Sequence, residues 1–304
     1  MPELPEVETM RRGILHTVGA TVVAAKKLPC SRRPIEIKPR IDYLNKRVAG
    51  KKITAVDRLG KRVVIRFESD DRLIFEPRMT GLVLVHEAPT TEHLRFAIEL
   101  KHCCDRRILF WDRRGLGKVY LLSDQQYQAK LTDGSLGPDA LAITAQQLAE
   151  RYKGSKREIK VALLDQSKVL GIGNLYASEI LHLAGVHPQT RCDRISKPRW
   201  QSIHEQMILV LETAIKYEGS TLSDGTYRNT LNAEGGYQNE HRVYDREGEP
   251  CPNCSVEKIK RIVQAQRSTF FCKRCQKKRW SVVLGERKCA RQPRLLTSCC
   301  LDAA

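Results

Sequence analysis

No apolar run in this chain approaches the roughly 20 residues that cross a bilayer as a helix, and its N-terminus has no secretory-leader pattern. A membrane-spanning helical protein is excluded, and a soluble cytoplasmic protein is expected. Acidic residues are scarce. Only 35 Asp and Glu face 53 Lys and Arg, for a formal net charge of +18. That imbalance calls for a polyanion as partner, either nucleic acid or an anionic membrane surface. Internal repeats are absent. A prenylation box is absent too, because Cys299-Cys300 is followed by Leu301-Asp302-Ala303-Ala304. In a cytoplasmic setting the 11 cysteines are not expected to form a disulfide framework, so grouped cysteines point to metal. At 304 residues there is room for two domains or a bilobal enzyme.

What is present starts with Met1-Pro2-Glu3-Leu4-Pro5-Glu6-Val7-Glu8-Thr9. Met1 precedes a small residue, so its removal is expected to leave Pro2 as a free secondary amine. An α-amino group has a pKa of about 8, against about 10.4 for lysine, so far more of it is unprotonated at neutral pH. A secondary amine that attacks a sugar carbon can go on to an iminium ion, splitting one hard step into two easier ones. Glu3 stands beside it as a carboxyl group for proton transfer. The same pair is also readable as a helix start, with Pro in the first turn and Glu at the positive end of the dipole. Both readings stand at this point.

Val7, Met10, Ile14 and Val18 recur at helical spacing and predict an amphipathic helix over Val7–Val18. Short β segments follow at Thr21–Ala25, Ile53–Asp57, Arg62–Phe67, Leu73–Phe75, Gly81–Val85, Arg95–Leu100, Arg107–Trp111 and Lys118–Leu122. Strands of this length and spacing predict an antiparallel sandwich or barrel. Gly134-Ser135-Leu136-Gly137-Pro138 reads as a linker. Helices are then expected at Leu141–Tyr152, Arg157–Gln166, Leu175–Ala184 and Gln201–Tyr217, the last with Ile203, Met207, Val210, Leu211 and Ala214 on one face. Gly219–Gly236 reads as a loop. The expected units are a β-sandwich domain over 2–134, a helical domain over 135–236, a Cys-rich ribbon over 237–288 and a disordered tail over 289–304.

Cys251-Pro252-Asn253-Cys254 and Cys272-Lys273-Arg274-Cys275 are two Cys-x-x-Cys knuckles separated by 17 residues. Four converging thiolates suit one tetrahedral zinc, with an iron–sulfur centre as the alternative. Four protein ligands leave no open position, so a structural ion is expected. The segment is rich in Lys and Arg and nearly devoid of Asp and Glu. A metal-folded hairpin there can present a basic face to a phosphate backbone. Upstream, Gly171-Ile172-Gly173-Asn174-Leu175-Tyr176-Ala177-Ser178-Glu179 combines two glycines with Asn174 as a candidate helix cap. Free amides at a helix start suit an anion. An ordinary helix connection is the alternative.

Taken together, Pro2-Glu3-Leu4-Pro5-Glu6-Val7-Glu8, the Gly171–Glu179 run and the ribbon carrying Gln266-Arg267-Ser268-Thr269-Phe270 resemble bacterial formamidopyrimidine-DNA glycosylases over about residues 2–280. Leu4 favours that branch over the related endonuclease VIII group. The resemblance implies an α+β multidomain fold: an N-terminal helix with an antiparallel β-sandwich, a helix–two-turn–helix domain and a four-cysteine zinc ribbon. It implies a glycosylase that removes oxidised purines from double-stranded DNA and then nicks the abasic strand. Pro2 is the implied nucleophile and Glu3 the acid/base. Lys61 and Arg267 are implied in catalysis through the flanking phosphates. Met79, Arg114, Leu116, Lys160, Asn174 and Tyr176 are implied DNA contacts, with Met79 filling the gap left by the extruded nucleotide. The implied partner is damaged DNA alone, with no membrane, and the protein is expected to be monomeric and nucleoid-associated.

Two positions depart from the family's usual pattern. Asp112-Arg113-Arg114-Gly115-Leu116-Gly117 has Leu116 where an aromatic wedge is usual, and Arg78 replaces a usual glycine before Met79. Two further readings remain open: a sibling glycosylase for oxidised pyrimidines, and a zinc-ribbon protein that binds damaged DNA without cutting it.

Overall fold

A computed structural model describes residues 2–223 and 225–278. The expected tail 289–304 and the end of the expected ribbon, 279–288, lie outside the described residues.

Helix α1 (Leu4–Gly13) opens the chain with Pro5 in its first turn, where no amide donor is needed. The Glu3 N–H donates to Glu6 Oε2 at 2.8 Å and closes that turn. The helix stops at Gly13 instead of running to Val18, and Leu15–Thr17 forms a 3-10 turn. Gly13 packs against Thr230, where a Cβ would lie 1.8 Å from Oγ1. Val7, Met10 and Ile14 enter the core, whereas Val18 is left exposed.

All eight expected strands form. They are β1 (Thr21–Lys27), β3 (Ile53–Leu59), β4 (Arg62–Phe67), β5 (Arg72–Glu76), β6 (Gly81–Leu84), β7 (Leu94–Lys101), β8 (Arg107–Asp112) and β9 (Lys118–Leu122). Two unexpected elements join them, β2 (Glu36–Lys38) and α2 (Ile41–Val48). One sheet runs β1-β7-β8-β6 and the other β2-β9-β5-β4-β3. Pairing is antiparallel except that β2 lies parallel to β9. Alternation along the strands sorts the two faces. Val63, Ile65 and Phe67 point into the sandwich core, while Val64 and Ile74 pack outward with Leu122 and Leu131. Phe75 anchors the interior, with ring centroids 5.9 Å from Phe96 and 5.5 Å from Phe110.

The second lobe holds α4 (Ala145–Arg151), α5 (Ile159–Leu163), α6 (Asn174–Leu183) and α7 (Lys197–Lys216), preceded by the short α3 (Asp124–Tyr127). Thr144 caps α4 through a reciprocal pair with Gln147, which starts that helix later than Leu141. The expected apolar face of α7 is buried. Strands β10 (Lys260–Gln264) and β11 (Arg267–Phe271) form the ribbon hairpin over a small core of Val243, Ile259, Phe270 and two of the cysteines. Helix α1 ties the lobes together: Leu4 belongs to the helical core, while Val7, Met10 and Ile14 belong to the sandwich core. The start of α1 is therefore held at the junction.

Candidate active site

Pro2 is buried, and with Glu3, Glu6, Met79, Asn174, Tyr227 and Arg267 it lines a cavity of about 320 Å³. These residues come from α1, the β5–β6 turn, the α6 start, the segment after α7 and the β10–β11 turn.

The glycine turn is built around α1. The Leu4 N–H donates to the Gly171 carbonyl at 3.0 Å. Gly171 has a φ of +102°, and a Cβ there would strike Leu4 at 2.4 Å. At Gly173 a Cβ would lie 2.2 Å from the Glu3 carboxyl carbon. Gly173, not Asn174, is the cap of α6, and the helix-start amide of Leu175 donates to Glu3 Oε1 at 3.1 Å. The expected anion site at this helix start is thus occupied by the protein's own carboxylate. Glu3 Oε2 is buried and has no partner among the described residues.

Burial raises the Glu3 pKa above the usual carboxylate range, against the pull of Lys61, and the nearby Glu6 adds to the rise. Lys61, on the β3–β4 turn after left-handed Gly60, has its pKa lowered by burial while Glu3 and Glu6 oppose that effect. Each group is thus displaced toward neutrality by burial, while the charge of the other opposes that shift.

Glu6 was not predicted as a site residue, and it is the organiser of the cavity. Its Oε1 accepts from Tyr176 Oη at 2.5 Å and from the Ser220 N–H at 3.0 Å, and its Oε2 accepts from the Glu3 N–H. Tyr176, expected among the DNA contacts, is fully buried in holding Glu6 and presents no surface. Lys160, expected as a phosphate contact, is also fully buried. Its ammonium donates to Asn174 Oδ1, to Thr269 Oγ1 at 2.9 Å and to the Ser268 carbonyl at 3.2 Å, filling its three donor positions. Burial lowers its pKa to about 8. Asn174 Nδ2 donates to the same Ser268 carbonyl at 3.0 Å. Lys160 and Asn174 therefore tie α5 and α6 to the ribbon hairpin. Arg267 stands exposed at its turn, which left-handed Ala265 and Gln266 make tight.

On the opposite wall, Met79 and Leu116 line an adjoining cleft with Arg267. Met79 is 38% exposed and Arg114 is exposed, while Leu116 is half-buried. Their loops are locked together by Asp112, which is fully buried and was also missed from sequence. It accepts from Thr80 Oγ1 at 2.5 Å, the Gly117 N–H at 2.7 Å and the Arg114 N–H at 3.2 Å. Arg78 has a φ of +57°, the backbone that makes glycine usual there, and its guanidinium pairs with Glu76 at 2.6 Å.

In the ribbon, Cys251 and Cys275 sulfurs lie 3.8 Å apart and those of Cys254 and Cys272 3.7 Å apart. A tetrahedron of thiolates with Zn–S near 2.3 Å has edges of about 3.8 Å, so the four cysteines fit zinc.

Three family models match the chain: the formamidopyrimidine-DNA glycosylase N-terminal domain over residues 1–119, the formamidopyrimidine-DNA glycosylase H2TH domain over 136–226, and a zinc finger found in FPG and IleRS over 248–278. The chain is 40% identical to the formamidopyrimidine-DNA glycosylase of Chloroflexus aurantiacus over 281 residues, covering 91% of this chain and 98% of that protein. A Lactococcus lactis FPG mutant in complex with Fapy-dG-containing DNA superposes with a TM-score of 0.80 at 32% identity, covering 91% of this chain and all of that one. The Lactococcus lactis Fpg complex with abasic-site DNA superposes with a TM-score of 0.79 at 30% identity and the same coverage.

Proposed function

The chain belongs to the formamidopyrimidine-DNA glycosylase family of DNA repair enzymes, and on that premise we propose that it excises oxidised purines, 8-oxoguanine and formamidopyrimidines, through Pro2 and then nicks the abasic strand. The observation that carries this reading is the meeting of Pro2, the unpartnered Glu3 Oε2 and the Asn174–Arg267 clamp in one cavity.

Removal of Met1 frees the Pro2 nitrogen. The damaged nucleotide leaves the stack, at a few kcal/mol, and enters the cavity. Met79 and Leu116 fill the vacated space and Arg114 faces the orphaned base. Pro2 nitrogen attacks the anomeric carbon, forming a C–N bond as the glycosidic bond breaks and the base departs with a proton. Glu3, its pKa raised by burial, delivers a proton to the sugar ring oxygen, which opens the ring and leaves an iminium ion. Loss of a proton at the neighbouring carbon then expels the 3′ phosphate, and a second elimination expels the 5′ phosphate. Water releases the sugar fragment and regenerates the amine. Lys61 and Arg267 hold the phosphates that flank the nucleotide. One zinc ion in the ribbon is structural, since four thiolates leave it no open position.

Borohydride reduction with an 8-oxoguanine duplex tests this. An adduct with its mass on Pro2, lost in Pro2→Gly, supports it. No adduct from protein whose Met1 is removed overturns it. A parallel thymine glycol duplex separates purine from pyrimidine preference, and binding without cleavage would favour the non-catalytic reading.

A further inference from the structure

The N-terminal domain carries a second group of soft metal donors, well away from the ribbon. One donor atom each from His16, Cys103 and Cys104 lie within 4.8 Å of one another. His16 sits in the 3-10 turn at the end of α1, and the two cysteines occupy the turn from β7 to β8. Nothing in their sequence spacing relates them; the fold brings them together. Cys103 Sγ is 3.7 Å from the His16 carbonyl, so the two turns are in direct contact.

Both turns are anchored. Thr17 is fully buried and its hydroxyl donates to the Ile14 carbonyl at 2.7 Å, which fixes the turn carrying His16. The Leu100 N–H donates to the Arg106 carbonyl at 2.7 Å, which closes the turn carrying the cysteines. Asp105 Oδ2 lies 2.5 Å from His16 Nε2. A carboxylate on one ring nitrogen fixes the tautomer and leaves the other nitrogen as an electron-pair donor, the arrangement that supports histidine ligands at metal sites. His16 and Cys104 are exposed and Cys103 is half-buried, so an ion has a path in.

We propose that His16, Cys103 and Cys104 form a second zinc site, with Asp105 orienting the histidine. Two thiolates and one imidazole are a borderline-soft donor set that suits Zn²⁺ better than the hard cations. Two thiolates also neutralise the ion, so occupancy adds no charge to an already basic chain. With three protein ligands the fourth position is taken by water. Binding joins the end of α1 to the β7–β8 turn. That end is one helix length, about 15 Å, from Glu3. The ion is therefore a staple on the helix that carries the proposed catalytic pair, not a participant in its chemistry.

The test uses the full chain, kept reduced with a phosphine and equilibrated with buffered free zinc, followed by metal analysis. The native chain is expected to retain two zinc ions and Cys103→Ser/Cys104→Ser one, since the ribbon site persists as an internal reference. His16→Gln and Cys104→Ser, both at exposed positions, are expected to lose the second ion without loss of fold. In the cobalt-substituted protein the sulfur-to-metal charge-transfer band should fall by roughly one third in the double variant, as six Co–S bonds become four. A native chain that holds one ion under these conditions overturns the proposal. So does a second ion that survives in Cys103→Ser/Cys104→Ser, because it must then lie elsewhere.

Discussion

Replacing Gly173 with alanine tests whether the glycine turn exists to place the Glu3 carboxylate. The backbone there has a φ of −130°, so alanine brings no torsional strain. Its one new carbon would lie 2.2, 2.4 and 2.6 Å from Cδ, Oε1 and Oε2 of Glu3. Ordinary contact begins near 3.4 Å, so something must move by about 1 Å. The turn is poorly placed to yield, because Gly171 is pinned on Leu4 by a 3.0 Å hydrogen bond on one side and α6 begins on the other. The carboxylate therefore moves and loses its bond from the Leu175 amide. A displacement of about 1 Å at a reacting centre lowers the rate on the order of 10²-fold, equivalent to about 2.7 kcal/mol. Single-turnover nicking of an 8-oxoguanine duplex reads that loss. Binding to a duplex with a tetrahydrofuran abasic analogue should change little, since Asn174 and Arg267 stay in place. Adding Glu3→Asp, which retracts the carboxylate by one methylene, should restore part of the rate in the double variant. Gly173→Ala with the native single-turnover rate and an unchanged melt would refute the reasoning.

Three other outcomes follow from the same contacts. Asp112→Ala leaves the Thr80 hydroxyl and the Arg114 and Gly117 amides without their acceptor; it should destabilise the protein by roughly 2–4 kcal/mol in urea denaturation and blunt opposite-base discrimination. Burial opposes ionisation of Glu8, but hydrogen bonds from Arg11 and Arg12, aided by Arg58, hold its pKa at about 2. A depressed folded pKa stabilises the native state above the unfolded value of 4.5, and that stability is lost as pH falls toward 2. Acid unfolding of Glu8→Gln should accordingly lack this steep component, which on linkage is at most about 3 kcal/mol. Stripping zinc from the ribbon should abolish borohydride trapping while most of the helical signal in circular dichroism persists. The loss reaches the site because the Ser268 carbonyl, an acceptor for both Lys160 and Asn174, lies on the ribbon hairpin next to the four cysteines. Trapping at the native level in zinc-free protein would contradict that coupling.

Much of this molecule is legible in its residues wherever the chemistry is local. Two Cys-x-x-Cys knuckles and alternating strands each carry their signal within a few positions. The missed elements are short or weakly marked. Strand β2 has three residues between two prolines, and α2 shows only Ile41, Leu44 and Val48 at helical spacing. The end of α1 was misplaced because Val18 keeps the helical period while Gly13 must meet Thr230, a contact no periodicity reports. Asp112 gives no sign of its role either, since the loop partner it fixes, Thr80, stands 32 residues earlier.

The deepest limit appears in the first six residues. Pro2-Glu3 and Pro5-Glu6 are the same dipeptide, and only nearness to the expected Pro2 amine separates the two glutamates in the sequence. The fold separates them completely. Glu6 receives a tyrosine hydroxyl and an amide from residues 170 and 214 positions away, and a third donor from the Glu3 N–H. Such a carboxylate is satisfied and positions its surroundings. Glu3 receives one amide and buries its other oxygen without a partner, beside Pro2 in the cavity. An unsatisfied buried carboxylate oxygen costs about 1–3 kcal/mol or more. A fold that supplies three donors to one glutamate could have supplied a second to its neighbour. That difference supports the acid/base role proposed for Glu3 and a scaffolding role for Glu6.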